Sequence, residues 1–469
     1  MMKSSLFCLF LFCCFNLVLG QEPQLTTPSF FADNMVLQQR DTVAIWGKDA
    51  PNQTVSVTGN WGEESVVVSN ETGRWRANIA TPKAGGPYTV SIKGSSTKTI
   101  KNVLIGEVWL CSGQSNMQMP VNGYTNQPIY GSLDALITAK NKNIRFFQVE
   151  RKASVEPLDD VEGEWVSSSA YTLQEFSALA YFFGKNLNDV LDVPVALIHT
   201  SWGGSSAEAW TDKETLMNID KETEFLTQVP EENVNKKPAL LYNAMLHPFI
   251  GYGFKGIIWY QGESNVGRSS EYEKLFSSMI TSWRQKWNKN FPFYFVQIAP
   301  YNYGDGSNSA FLREAQLKTM ETLDKTGMAV TMDVGNCTNI HPGNKKTIAD
   351  RLSYWALAKD YNIEGIPFSG PVFSEMEAED HRLILQFKYA ENGFYSENDE
   401  LKGFEVAGSD KKFHPAQAII NRNKTITVSS EEVKKPVAVR YAFKNCIEGT
   451  LYNTYGLPAS SFRTDSWAE

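Results

Sequence analysis

From about Val103 the sequence changes rhythm, and that rhythm leaves few folds open. Short apolar runs at 108–111, 144–149, 195–200, 256–260, 293–298 and 329–334 read as strands. Between them lie amphipathic stretches of helix length, at 175–190, 271–287, 311–323 and 345–360. Strands that alternate with helices must run parallel, because each crossover carries the chain back to the same end of the sheet. Near-continuous apolar strands imply burial on both faces. The expectation is an α/β domain with a parallel sheet and helices on both sides.

Two β-rich regions flank it. Over 21–102, Val43-Ala44-Ile45-Trp46, Val55-Ser56-Val57, Val66-Val67-Val68 and the alternating Tyr88-Thr89-Val90-Ser91-Ile92 are separated by turn signals such as Asp49-Ala50-Pro51-Asn52. Short strands at this spacing predict a small sandwich. It reads first as a packing module and second as a carbohydrate holder. Over 367–469 the β pattern returns, in Leu383-Ile384-Leu385-Gln386-Phe387 and Thr425-Ile426-Thr427-Val428. With 469 residues the chain exceeds one ordinary core, and the expected division is 1–20, 21–102, 103–366 and 367–469.

Residues 1–20 read as an export signal. Lys3 precedes an apolar run too short to span a bilayer comfortably, and small residues lie before Gln21. A secreted or periplasmic protein follows. Three of the six cysteines leave with that segment. Cys111, Cys337 and Cys446 remain, which allows at most one bridge and leaves one thiol free. The net charge of −8, with dispersed Lys and Arg, argues against nucleic acid and anionic membranes as partners. No spacing of cysteine or histidine suits a metal.

In a doubly wound sheet the loops that follow the strands meet along one edge. After the first strand comes Ser112-Gly113-Gln114-Ser115-Asn116, a break that sets a serine hydroxyl at that edge. After the third comes Ser201-Trp202-Gly203-Gly204-Ser205, whose glycines allow backbone N–H groups to point at an oxyanion. After the fourth comes Gln261-Gly262-Glu263-Ser264-Asn265, where Gln261 or Asn265 offers an amide donor. After the last comes His341-Pro342, an imidazole in an extended loop before a helix. Each loop alone is an ordinary turn. Together they supply a nucleophile, Ser115, a base, His341, and oxyanion donors at Gly204 and Gln261, which is the equipment for ester hydrolysis.

These blocks resemble a known family. Gly113-Gln114-Ser115-Asn116-Met117, Trp202-Gly203-Gly204-Ser205, Trp259-Tyr260-Gln261-Gly262-Glu263-Ser264 and Ile340-His341-Pro342 look like the four blocks of sialate O-acetylesterases, in the SGNH or GDSL-like hydrolase superfamily. Segments 30–38 and 456–464 look like the terminal signatures of exported bacterial members. The resemblance implies a flavodoxin-like three-layer core and removal of acetyl groups from sugar hydroxyls, foremost those of sialic acids. It implies an acyl-enzyme on Ser115 and no cofactor or metal. Acetylated xylan or another glycan is the alternative substrate, and a catalytically weak carbohydrate-binding protein the alternative class. One departure stands out. The superfamily places an Asp three residues before the His, and here that position is Thr338. Asp333, Asn339 or a backbone carbonyl remain as partners for His341. Arg313 reads as a helix-surface salt-bridge residue first, and as a sialic acid carboxylate reader second.

Overall fold

The computed structural model describes residues 24–304, 306, 308–396 and 400–467. The expected export segment, 1–20, lies outside them. Among the described residues no helix is long and apolar enough to cross a membrane.

One strand, Thr97–Gly113, organises the molecule, and its burial pattern explains how. Up to residue 102 it is mostly solvent-facing, with only Ile100 of its first six residues buried; from Val103 to Gly113 every residue is buried. The first half pairs antiparallel with Gly85–Lys93 in the N-terminal β-rich region. The second half is the middle strand of the main sheet, with parallel neighbours Val195–Ser201 and Gly256–Tyr260. The boundary expected at 102–103 thus falls inside a single continuous strand. Arg145 fastens the same seam: its buried guanidinium donates to the carbonyls of Asn34 and Asn102, each at 2.6 Å.

The architecture is mixed α/β. Across the main sheet the order is Thr326–Ala329, Phe293–Val296, Gly256–Tyr260, Thr97–Gly113, Val195–Ser201, Asn141–Gln148 and Trp165–Ser168. All neighbours are parallel except the last pair. Alternate residues of the middle strand feed opposite cores. Val108 and Leu110 pack with helix Ser269–Trp287, through Phe276 and Trp283. Trp109 and Cys111 pack with helices Ala178–Leu191 and Lys345–Lys359, through Phe183 and Leu352. Full burial of such side chains contributes roughly 1.5–3 kcal/mol each, which is why both faces must be covered.

Two expected strands end early. The run 293–298 pairs only to Val296, and 329–334 is replaced by Thr326–Ala329. Side chains take over the ladder at these ends. Gln316 Oε1 accepts from the Ile298 N–H at 2.9 Å, and Arg351 donates to the Val330 carbonyl at 2.7 Å.

The C-terminal region forms two four-stranded antiparallel sheets and a small ribbon, Phe394–Tyr395 with Tyr452–Asn453. It is tied back to the main domain by a Cys337–Cys446 disulfide, and among the described residues Cys111 is a buried free thiol.

Candidate active site

The middle strand ends at Gly113, where φ is +140°, and a Cβ there would stand 2.1 Å from the Tyr260 carbonyl oxygen. Only glycine passes this point. The chain turns at once into the short helix Ser115–Gln118. Ser115 is its first residue, so its N–H has no intrahelical acceptor, and none outside the helix among the described residues. Gln114 anchors the turn from below: its side-chain oxygen accepts from the N–H groups of Gly262 and Ser264 at 3.3 and 3.4 Å.

His341 comes to this turn from 226 residues away. Its Nε2 lies 2.9 Å from Ser115 Oγ, and its Nδ1 lies 2.7 Å from Gln127 Oε1. An amide oxygen accepts only, so Nδ1 carries the proton and Nε2 turns its lone pair to the serine hydroxyl. Burial, with the nearby Lys345 charge adding to it, pushes the imidazole down to a pKa of about 4. At neutral pH the ring is an uncharged base. Tyr124 closes one side, its ring 5.2 Å from the imidazole and its hydroxyl donating to the Ser115 carbonyl at 3.1 Å.

The partner of Nδ1 differs from all three expected groups. Asp333 is engaged by Arg351 through two bonds of 2.7 and 2.6 Å. Asn339 accepts from the His341 backbone N–H at 2.9 Å, not from the ring. No backbone carbonyl takes the place either. Gln127 does, from the loop after the nucleophile helix. A neutral amide in a polar loop has no sequence signature, and only packing reveals it.

The glycine loop lies against Ser115. A Cβ on Gly203 would be 3.4 Å from that of Ser115. Gly204 takes φ +71°, and its N–H has no acceptor among the described residues. The Gly203 N–H donates to Gln118 Oε1 at 2.7 Å. The expected side-chain donors are placed otherwise. Gln261 is fully buried; its amide donates to the Ser205 carbonyl at 3.1 Å and to Asn265 Oδ1 at 2.7 Å. Asn265 in turn donates to Glu208, at 3.0 Å to Oε2. Both hydrogens of the Gln261 amide are thereby engaged, and the Asn265 amide faces the Glu208 carboxylate. Gln261 and Asn265, expected as alternative oxyanion donors, brace the glycine loop from behind, through the Ser205 carbonyl and the Ala207 N–H.

Arg313 is corrected in both its readings. It is fully buried, donating to Ser461 Oγ and Ser309 Oγ at 3.0 Å and to the Lys444 carbonyl at 2.5 Å. It neither meets solvent nor faces the Ser115 edge; it fastens helix Ser309–Thr322 to the C-terminal region.

Beyond Tyr124 and Gln118 opens a cleft of about 660 Å³ that neither Ser115 nor His341 lines; its walls include Gln148, Arg151, Glu175, His199 and Ser201. Arg151 lies over the Trp202 ring at 5.8 Å, next to the glycine loop. Among the described residues no three His, Cys, Asp or Glu side chains converge as metal ligands would.

A mixed α/β domain with this edge defines, together with its relatives, a class: the carboxylic ester hydrolases. Residues 105–349 match the family model described as carbohydrate esterase, sialic acid-specific acetylesterase. The chain is 31% identical to the sialate O-acetylesterase of Pongo abelii and 30% identical to that of Homo sapiens, each over 92% of this chain and 91% of the relative. Its structure superimposes on that of a carbohydrate acetylesterase from Xanthomonas citri with TM-score 0.87 and 35% identity, covering 94% of this chain and all of the other. The protein belongs to the sialate O-acetylesterase family.

Proposed function

We propose that the protein is an exported serine esterase with an SGNH-type core that removes O-acetyl groups from carbohydrates, O-acetylated sialic acids first among them. The observation that carries the reading is the 2.9 Å approach of His341 Nε2 to Ser115 Oγ beside unspent backbone donors. Strand order supports the core. Numbering Thr97–Gly113 as 1 and Asn141–Gln148, Val195–Ser201, Gly256–Tyr260, Phe293–Val296 and Thr326–Ala329 as 2 to 6, the parallel strands run 2-3-1-4-5-6, and the direction of winding reverses beside strand 1, whose end carries Ser115. Export accords with a disulfide between two of the three cysteines outside the leader.

In the reaction the Ser115 oxygen forms a bond to the acetyl carbonyl carbon while His341 Nε2 takes its proton. The N–H groups of Ser115 and Gly204 receive the developing oxyanion, where one such donor contributes about 3–4 kcal/mol. Collapse breaks the bond to the sugar oxygen, which receives the proton from His341. Water, deprotonated by the same imidazole, then releases acetate from Ser115.

Acetate release from O-acetylated sialic acid, acetylated xylan and an aryl acetate tests the reading. Turnover of all substrates should vanish in Ser115→Ala, and the wild type should prefer the sialate. Activity on xylan alone ends the sialate assignment; no turnover of any ester by the wild type leaves a carbohydrate binder.

A further inference from the structure

Behind the nucleophile turn lies a row of buried polar groups that the reaction does not consume. Lys345, the first residue of helix Lys345–Lys359, is fully buried. Its Nζ donates to Asn116 Oδ1 at 2.5 Å and stands 5.3 Å from the centre of the Tyr260 ring. The Asn116 amide is shared between two elements. It donates to Glu263 Oε1 at 2.5 Å and to the Ile340 carbonyl at 3.0 Å. The other oxygen of Glu263, Oε2, is buried with no hydrogen-bond partner.

Burying an ammonium and a carboxylate costs several kcal/mol each before their attraction is counted. A methionine would fill the space of Lys345 without that cost. The row also joins neighbours that chemistry needs in register: Asn116 follows Ser115, and Ile340 precedes His341. The groups facing Lys345 are Asn116 from the nucleophile helix, Tyr260 from the sheet, Glu263 from the turn Glu263–Arg268, and His341 on its own approach loop. Tyr124 and Gln127 face His341 from the other side.

We propose that Lys345, Asn116 and Glu263 form a positioning unit for the Ser115–His341 pair, in which Asn116 is the strut that holds the histidine loop to the nucleophile turn and the buried Lys345 charge adds to burial in disfavouring a protonated His341. The inference rests on the proposed roles of Ser115 and His341. A positive charge beside an imidazole disfavours its protonation, the direction seen for His341. The strut bonds both sides of the reacting pair, so losing it loosens their separation without altering the charge.

The test is the pH profile of kcat/KM for an aryl acetate. Lys345→Met should move the acid limb upward by about half a pH unit or more and lower kcat about tenfold. Asn116→Ala should lower kcat comparably while the limb stays in place. A Lys345→Met limb that coincides with the wild type overturns the proposal. Should Lys345→Met fail to fold, ring NMR of His341 in the wild type decides. Burial brings Lys345 down to about 7, so the His341 signals should show a second inflection near that pH. A single-step titration with nothing near pH 7 overturns the proposal. Ser115→Ala separates this from the parent reading. If it stays active, the proposed function fails; if it is dead and the Lys345→Met limb is unmoved, only the positioning unit fails.

Discussion

Two histidines in this molecule carry the same pair of neighbours. His341 has Gln127 Oε1 at 2.7 Å on Nδ1 and Ser115 Oγ at 2.9 Å on Nε2. His199 has Gln148 Oε1 at 2.7 Å on Nδ1 and Ser201 Oγ at 2.7 Å on Nε2. A hydrogen-bonded Ser–His–Gln row is therefore not by itself a catalytic site. Ser201 and His199 are 2% and 1% exposed, within the fully buried strand Val195–Ser201. Ser115 and His341 are half-buried, at a rim where the chain has just left the sheet. Neither the Ser115 N–H nor the Gly204 N–H has an acceptor among the described residues. His199 and Ser201 also line the cleft, so access does not separate the two rows; those two backbone N–H groups do.

The largest effect should come from the two serines. Removing the nucleophile of a Ser–His enzyme costs on the order of 10⁵-fold or more in kcat. Ser115→Ala should show such a loss on an aryl acetate, and Ser201→Ala should stay within about tenfold of wild type. A dead Ser201→Ala with an active Ser115→Ala would exchange the two rows and remove the basis of the proposed mechanism.

The two rows also differ in how they are held. His199 sits in a strand. His341 sits in a loop four residues after Cys337, whose bridge to Cys446 closes 109 residues of chain. A loop of that size is worth about 4.7 kcal/mol in the unfolded state. Reduction, or Cys446→Ser, should lower stability by up to that amount in denaturant titration. It should also lower kcat, because the loop carrying His341 loses its far anchor. Unchanged stability on verified reduction would show that packing alone holds the loop.

Next come the glutamines. Gln127→Leu leaves Nδ1–H without its acceptor and frees the ring to rotate or change tautomer. Loss of a charged aspartate in that role costs about 10⁴-fold elsewhere. A neutral amide stabilises imidazolium less, so the expected loss in kcat is roughly 10- to 100-fold. Gln148→Leu should leave kcat near wild type. Equal effects of the two substitutions would mean that neither glutamine acts on the reacting base.

This contrast also marks what was legible in the sequence. Strand-to-loop breaks at Ser115, Gly203-Gly204 and His341 were readable, because a parallel sheet brings such loops to one edge whatever the packing in between. Gln127 was not, since its role exists only once a loop near residue 127 folds over a loop near residue 341. Gln261 and Asn265 misled for the opposite reason. They sit next to a readable strand end, but burial engages both amide hydrogens of Gln261 and turns Asn265 to Glu208, and burial is a property of neighbours far off in sequence. The ends of the last two strands failed likewise, because Gln316 and Arg351, from helices, replace the backbone ladder.

The smallest expected effect separates the two histidines by where their titration is felt. Burial holds both imidazoles below the ordinary 6.5, His199 at about 3 and His341 at about 4. For His341 the consequence is kinetic: kcat/KM should stay flat as pH falls from 8 to about 5 and drop only near 4, where the base takes its proton. An acid limb at 6.5 would mean an ordinary, solvated imidazole. For His199 the consequence is thermodynamic. Unfolded, it binds a proton at about 6.5; folded, it refuses one until about 3. Between those values the unfolded state holds more protons, so stability declines as pH falls from 6.5 toward 3. His199→Gln should flatten that part of the stability–pH curve while leaving the kinetic limb where His341 puts it. A variant that instead shifted the kinetic limb would join the two rows into one coupled site.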